Sequence, residues 1–93
     1  MTKLAALKDR LMQDAEFARE YAKADAEYKV IEALVTARVN AKLSQAELAR
    51  KTGTTQSAIA RLESGSISPT LSTLRRYAEA TGSKLEISIV PAE

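Results

Sequence analysis

Two short helical segments separated by a tight turn constrain this sequence most, and they lie within residues 43–65. Ser44 followed by Glu47 is a capping-box pattern, in which each side chain bonds a free backbone N–H at the start of a helix. Gly53 allows the left-handed conformation that commonly follows a helix, so this helix holds only about eight residues. Thr55 then predicts a second N-cap, and Gly65 predicts the end of the second helix.

The side chains of these two helices divide into an inner and an outer set. Ala49 is predicted on the inner side of the first helix, where a small side chain permits close approach, and Ile59 and Leu62 face the core from the second helix. The outer face of the second helix then carries Gln56, Ser57, Ala60 and Arg61. This is a helix-turn-helix pattern, in which one helix crosses the DNA backbone and the next enters the major groove, ~12 Å wide.

Helical patterns also precede this region. Asp14 and Asp25 are predicted N-caps of two helices, the second of which ends near Asn40. An apolar stripe along that second helix consists of Tyr28, Ile31, Leu34, Val35 and Val39.

A further helix, after the helix-turn-helix, is predicted to begin at Pro69 and Thr70 and to end at Gly82. Its inward side chains are Leu71, Leu74, Tyr77 and Ala78.

Residues 1–27 are predicted to form a helical arm, because their sequence favours helix but their apolar face is thin. The apolar side chains of this arm are Leu4, Leu7, Leu11, Phe17 and Tyr21. They have little of their own chain to cover, which suits a helix laid in the groove of a partner. The alternative is an arm that packs back on its own domain.

The tail at residues 84–90 alternates apolar and polar residues and is predicted to be a half-buried β-strand closed by Pro91. One strand leaves its backbone N–H and C=O groups without partners, and the same strand of a second copy would satisfy them. Leu85, Ile87 and Ile89 are the predicted dimer contacts. The alternatives are a frayed tail or a strand lying on the helices.

Composition excludes several classes of function. The 93 residues contain no His and no Cys, so the usual general base, thiolate metal sites and disulfides are all missing. An enzyme would have to work with carboxylates, Lys, Tyr or Ser alone, and no pair of carboxylates or Ser/Lys grouping lies at a persuasive spacing. We therefore expect no enzyme, no catalytic residues, no metal and no cofactor. Without an apolar run of ~18 residues, and with a charged N-terminus, the sequence predicts a cytoplasmic protein with neither a membrane span nor a signal peptide.

The small net charge of +2 conceals an uneven distribution. Residues 28–64 carry six basic and three acidic side chains, whereas residues 1–27 carry five basic and six acidic ones. A basic stretch within a nearly neutral chain suggests a surface that faces a polyanion, although a solvated helix surface gives the same pattern.

The segment LSQAELARKTGTTQSAIARLESG, residues 43–65, closely resembles the helix-turn-helix of lambdoid phage repressors and the wider XRE family. The resemblance covers residues ~28–82 and implies an all-α, five-helix, lambda-repressor-like domain. With the other patterns, it predicts a helical arm over 1-27, a DNA-binding domain over 28-82, and a C-terminal β-strand and tail over 83-93.

The resemblance also implies roles for individual residues. Gln45 would bond a phosphate, and Gln56 would read an adenine edge through its amide. Ser57 and Arg61 would complete the base-reading surface. Further contacts near the DNA backbone would come from Thr55, from Ser44 secondarily to its capping role, and from Arg38, which would also pair with Glu63. The loop at residues 66–68 lacks the basic residues of the phage repressors, so fewer phosphate contacts are expected there.

The arm before the domain and the strand after it make the whole layout similar to HigA-type antitoxins of bacterial type II toxin–antitoxin modules. That resemblance implies a homodimer that binds double-stranded operator DNA, represses its own operon and neutralises a small basic RelE- or HigB-like, mRNA-cleaving toxin. The alternatives are a free-standing XRE or phage-type regulator with no toxin, and a protein-interaction module with a vestigial helix-turn-helix.

Overall fold

The computed structural model describes residues 3–11 and 13–92, and this part of the chain contains five α-helices and no β-strand. The helices are α1 (Lys3–Leu11), α2 (Ala15–Asn40), α3 (Gln45–Thr52), α4 (Gln56–Ser64) and α5 (Leu71–Ala80). None of the described helices is both long enough and apolar enough to cross a membrane. The all-helical architecture with a helix-turn-helix agrees with the sequence-based expectation.

The chain divides after Val30 into two compact units. The first contains α1 and the beginning of α2, where the rings of Phe17 and Tyr21 stack at a centroid distance of 6.3 Å. The ammonium group of Lys8 lies 4.5 Å from the centroid of the Tyr21 ring, a cation–π contact.

The second unit holds a small apolar core to which α2, α3, α4 and α5 all contribute. Its buried side chains are Leu34, Leu48, Ala49, Ile59, Leu62 and Tyr77. Helix α3 packs against both α4 and α5. The predicted inward positions of Ala49, Ile59 and Leu62 are thereby confirmed.

Three predicted details of the helices are wrong. Asp25 caps no helix: it lies within α2, where its carboxylate pairs with Lys29 four residues later at 3.5 Å. Of the apolar stripe on α2, Leu34 is buried, whereas Tyr28 and Val39 are exposed. Leu71, the first residue of α5, is 58% exposed rather than inward, because the side of α5 that meets the core begins at Leu74.

The tail at residues 83–92 forms no β-strand in the single chain. A strand is defined by hydrogen bonds to a neighbouring strand, and the described part of this chain offers none. The strand predicted at residues 84–90 is therefore absent here. Its pairing in a dimer stays a prediction.

Candidate nucleic-acid interface

Local hydrogen bonds define both ends of α3. The Ser44 hydroxyl oxygen accepts from the Glu47 backbone N–H at 3.0 Å, and a Glu47 carboxylate oxygen accepts from the Ser44 N–H at 3.1 Å. At the other end of α3, Gly53 adopts φ +71° and its N–H reaches the carbonyls of Ala49 and Arg50. The predicted capping box and the predicted C-terminal glycine are both present, so α3 begins and ends where the sequence indicates.

Helix α4 presents a polar face to solvent and an apolar face to the core. Gln56, Ser57 and Arg61 are exposed, whereas Ile59 and Leu62 are buried. Ser57 and Arg61 lie four residues apart and so share one side of the helix. An amide, a hydroxyl and a guanidinium therefore stand together on a short exposed helix, as the sequence predicts.

Ser44 and Thr55 are the two N-cap residues predicted to lie near the DNA backbone, and each keeps a hydroxyl proton free among the described residues. In each, the hydroxyl oxygen accepts a backbone N–H, from Glu47 and from Ala58 respectively. A hydroxyl that accepts in this way still has its own proton to donate. Both side chains are exposed and can offer that proton to an oxygen acceptor such as a phosphate.

The predicted ion pair between Arg38 and Glu63 is present and is bidentate. Arg38 Nε donates to Glu63 Oε2 at 2.8 Å, and Arg38 Nη2 donates to Oε1 at 2.9 Å. The side chains are only 15% and 5% exposed, so the pair is shielded from water rather than lying on the surface. A third bond runs from Arg38 Nη1 to the Leu43 carbonyl at 3.0 Å. The pair thus joins α2 to α4, and Arg38 also binds the segment just before α3.

Gln45 and Tyr77 also bond to the Glu63 carboxylate. Gln45 Nε2 donates to Oε1 at 3.2 Å, and the Tyr77 hydroxyl lies 2.8 Å from Oε2. Sequence reasoning missed both contacts and placed Tyr77 in the core alone. The available signal was the residue type, since a tyrosine at a buried position usually has a hydrogen-bond partner for its hydroxyl.

The protonation states of this cluster follow from its contacts. Burial pushes the pKa of Glu63 upward, but the hydrogen bonds from Arg38, Tyr77 and Gln45 outweigh it and hold that pKa below its ordinary value. The carboxylate in turn raises the pKa of Arg38. Burial and the neighbouring Glu63 raise the pKa of Tyr77. Glu63 is therefore charged, and the Tyr77 hydroxyl protonated, at neutral pH.

The side chains predicted to contact a protein partner are largely open to solvent. Leu4, Leu7, Leu11 and Tyr21 are exposed and Phe17 is half-buried. Of the predicted dimer contacts, Leu85 is half-buried while Ile87 and Ile89 are exposed. Within residues 3–11 and 13–92, no cluster of carboxylates is arranged to hold a metal ion.

Comparisons with known proteins agree with this geometry. The helix-turn-helix family model HTH_3 matches residues 34–87, which include α3, α4 and α5. Antitoxin HigA1 of Mycobacterium tuberculosis, found in two strains, is 34% identical over 76 residues, or 82% of this chain. A solved structure, the toxin–antitoxin module from Streptococcus pneumoniae, aligns with a TM-score of 0.64 at 27% identity and covers 100% of this chain and 96% of the other.

The matched region spans 45% of the length of the curated relatives. These relatives are named as antitoxins. The family match covers more than half of the chain, and the identity to HigA1 extends over most of it. The chain belongs to the XRE-type helix-turn-helix family and, within it, is similar to HigA-type antitoxins.

Proposed function

We propose that this protein is a cytoplasmic antitoxin that binds operator DNA as a homodimer, represses its own operon and neutralises a RelE- or HigB-like toxin by direct binding. The observation that carries the DNA-binding part is the exposed face of α4. Gln56, Ser57 and Arg61 stand there on a short helix that a capped turn holds against α3. This is the arrangement that a recognition helix needs in order to enter the major groove.

Each side chain on that face has a matching partner on DNA. The Gln56 amide offers one donor and one acceptor, the pair that the N7 and N6 groups of adenine complement. The Arg61 guanidinium suits guanine, and the Ser57 hydroxyl can bond several base edges. Phosphate contacts from Ser44, Gln45, Thr55 and Arg38 would fix the orientation of the helix without reading sequence.

Two copies would place two α4 helices in successive major grooves. This requires half-sites about one helical turn, ~34 Å, apart. Pairing of residues 84–90 across a two-fold axis would give these strands the hydrogen-bond partners that the single chain lacks. The exposed Ile87 and Ile89 would then be covered.

A salt titration with two variants tests the DNA-binding proposal. A duplex is first selected from a random pool by the wild-type protein, and its affinity is then measured against salt concentration. Three to four phosphate contacts per subunit predict a log–log slope of about −5 to −7 per dimer. Gln56→Ala should cost ~1–3 kcal/mol and relax the base preference at one position, whereas Gln45→Ala should weaken all sequences alike.

Gln13→Ala is the matched control, because Gln13 is an exposed glutamine outside the helix-turn-helix. It should bind the selected duplex as the wild type does. A slope near zero, or a Gln56→Ala variant with unchanged base preference, would contradict DNA reading by α4.

The proposed toxin contact is supported by the exposed leucines of the arm and by its charge. Leu4 is 76% exposed on α1, and residues 1–27 have one more acidic than basic side chain. An apolar helix face with a slightly acidic surround suits a groove on a small basic protein. The names of the relatives, an antitoxin and a toxin–antitoxin module, point to the same class of partner.

Co-purification tests the toxin contact. The chain is expressed together with the protein encoded beside its gene, and the complex is isolated through a tag on the chain. Leu4→Glu should release the partner, because burying a carboxylate in an apolar groove is costly. Leu71→Glu is the control, since Leu71 is an exposed leucine on α5. A lone homodimer, with no small basic partner, would instead support a free-standing regulator.

A further inference from the structure

Four helices meet at the carboxylate of Glu63. Glu63 itself lies on α4, and its two oxygens face Arg38 on α2, Gln45 on α3 and Tyr77 on α5. Each oxygen is within bonding distance of two donors, at 2.9 and 3.2 Å for Oε1 and at 2.8 Å twice for Oε2. A carboxylate has about four lone-pair sites, so this one is saturated.

Within residues 3–11 and 13–92, the hydrogen bonds of Arg38 and Gln45 leave three of their N–H donors unused. Arg38 has five N–H groups, of which two go to Glu63 and one goes to the Leu43 carbonyl. Gln45 Nε2 has two N–H groups, of which one goes to Glu63. The remaining N–H groups are those that phosphate contacts would use. Their directions are fixed by the bonds that Glu63 makes to the same two side chains.

Tyr77 holds the inner side of this cluster. The residue is 2% exposed, so packing immobilises its ring, and the hydroxyl lies 2.7 Å from the Leu34 carbonyl and 2.8 Å from Glu63 Oε2. One hydroxyl proton serves these two acceptors, which places the oxygen between α2 and α4. The position of the Glu63 carboxylate is therefore fixed by a buried hydroxyl group that would not itself contact DNA.

We propose that Tyr77 is a positioning residue for DNA binding, whose hydroxyl holds the Glu63 carboxylate so that Gln45 and Arg38 present their free N–H groups to phosphates. This inference rests on the proposed DNA-binding function. Because Tyr77 acts through phosphate contacts, its effect is the same on every DNA sequence.

Tyr77→Phe tests the inference, because it removes the hydroxyl and keeps the ring. Affinity is measured by fluorescence anisotropy on the duplex selected by the wild-type protein and on a random duplex of equal length. We expect a loss of roughly 3- to 10-fold on both, the effect of one hydrogen bond of ordinary net strength. Tyr28→Phe is the matched control, since it removes a hydroxyl from an exposed tyrosine and should bind as the wild type does.

Coupling to Gln45 separates positioning from a loss of stability alone. In a double-mutant cycle, Tyr77→Phe should cost less affinity in the Gln45→Ala background than in the wild type, because one of the two side chains that it positions has been removed. NMR without DNA adds a direct readout: Tyr77→Phe should shift the side-chain amide resonances of Gln45 and leave those of Gln56 unchanged. Glu63→Gln, which keeps the side-chain volume, should produce the same uniform loss of affinity and serves if Tyr77→Phe does not fold.

The outcomes distinguish this inference from the function on which it rests. If Tyr77→Phe binds as tightly as the wild type, or if its effect and that of Gln45→Ala add fully, the positioning role is overturned while DNA binding stands. An unfolded Tyr77→Phe together with wild-type affinity in Glu63→Gln also overturns it. If the wild-type protein selects no duplex and shows no salt-dependent binding, both proposals fail.

Discussion

Glu63 is the residue at which charge, burial and geometry are most tightly linked. Its carboxylate is 5% exposed, and a charge at such a position persists only because Arg38, Gln45 and Tyr77 all bond to it. Removal of one partner leaves the others without a counterpart, which is why a buried pair is costly to break although it adds little net stability. The same bonds hold the pKa of Glu63 below the ordinary value of 4.5.

This lowered pKa predicts how stability depends on pH. A carboxyl group with a depressed folded-state pKa stabilises the protein fully above its unfolded-state pKa, and the contribution disappears as pH falls through the folded-state pKa. We therefore expect the difference in unfolding free energy between wild type and Glu63→Gln to be about 3 kcal/mol near pH 7. It should shrink below pH 4.5.

Urea unfolding followed by far-ultraviolet circular dichroism measures this difference. Glu47→Gln is the comparison variant. The hydrogen bonds of the capping box also lower the pKa of Glu47, but this side chain is exposed. It should cost much less than Glu63→Gln. A Glu63→Gln variant as stable as the wild type at neutral pH would show that the cluster is not a stabilising charge pair.

The sequence could predict only part of this cluster. Arg38 and Glu63 could be paired through the family resemblance, and the exposed Gln56 and Arg61 follow from the periodicity of a short helix. The bonds of Gln45 and Tyr77 to Glu63 depend on how α3 and α5 are placed against α4. Placement of that kind is set by packing across the core, which local patterns do not encode.

At the scale of helices, the end of α2 shows strain that a substitution can relieve. Lys42 has φ +59°, and the Leu43 N–H reaches back to the Arg38 carbonyl, as in a glycine-ended helix. A side chain in this left-handed conformation costs roughly 1 kcal/mol relative to glycine. The sequence indicated the helix end near Asn40 without showing this strain, since no glycine stands there.

Lys42→Gly should therefore stabilise the protein by up to about 1 kcal/mol, as measured by thermal or urea unfolding. Lys42→Ala is the control, because it removes the same charge and keeps a Cβ in the left-handed conformation. It should give no comparable gain. Equal effects of the two variants would assign any change to the lost charge rather than to the backbone.

The two aspartates of α2 show how a capping signal can mislead. Asp14 precedes the helix and its carboxylate accepts from the Phe17 N–H at 2.9 Å, as predicted. Asp25 gives the same capping signal in the sequence as Asp14. It lies within the helix, because the alanine-rich residues around it favour an unbroken helix. An exposed aspartate that pairs with a lysine four residues later carries the same local signal as a cap.

Asp14→Ala and Asp25→Ala should therefore differ in their effects. Loss of the cap should cost about 1 kcal/mol of local stability and speed amide exchange at residues 15–18, whereas loss of an exposed ion pair should cost at most about 0.5 kcal/mol. Site-resolved hydrogen exchange measures both. If Asp25→Ala opened the helix near residue 25 as strongly as Asp14→Ala opens its start, an interruption of α2 would have to be reconsidered.

At the scale of the whole molecule, the tail is the segment whose predicted structure depends on a second chain. Residues 84–90 alternate in the sequence as a strand does, yet the single chain forms none. Ile89 is 97% exposed, and Ile87 is exposed as well. Neither sequence nor monomer fixes the partner of such a segment, because its hydrogen bonds would go to another molecule.

Removal of residues 84–93 should convert the proposed dimer to a monomer and leave the helices intact, since α5 ends at Ala80. Light scattering reports the mass, and circular dichroism reports the helix content. Affinity for a two-half-site duplex should fall by about 10²- to 10⁴-fold, because two linked domains bind with the advantage of high effective concentration. Binding to a single half-site should change little.

Two point variants show which face of the tail is used. Ile87→Asp places a charge on the face shared by Leu85 and Ile89, and it should dissociate the dimer. Ser88→Asp places the same charge on the opposite face and should leave the dimer intact. A truncated chain that remained dimeric would move the interface elsewhere, and a dimer disrupted equally by both variants would show that the strand is buried on two faces rather than one.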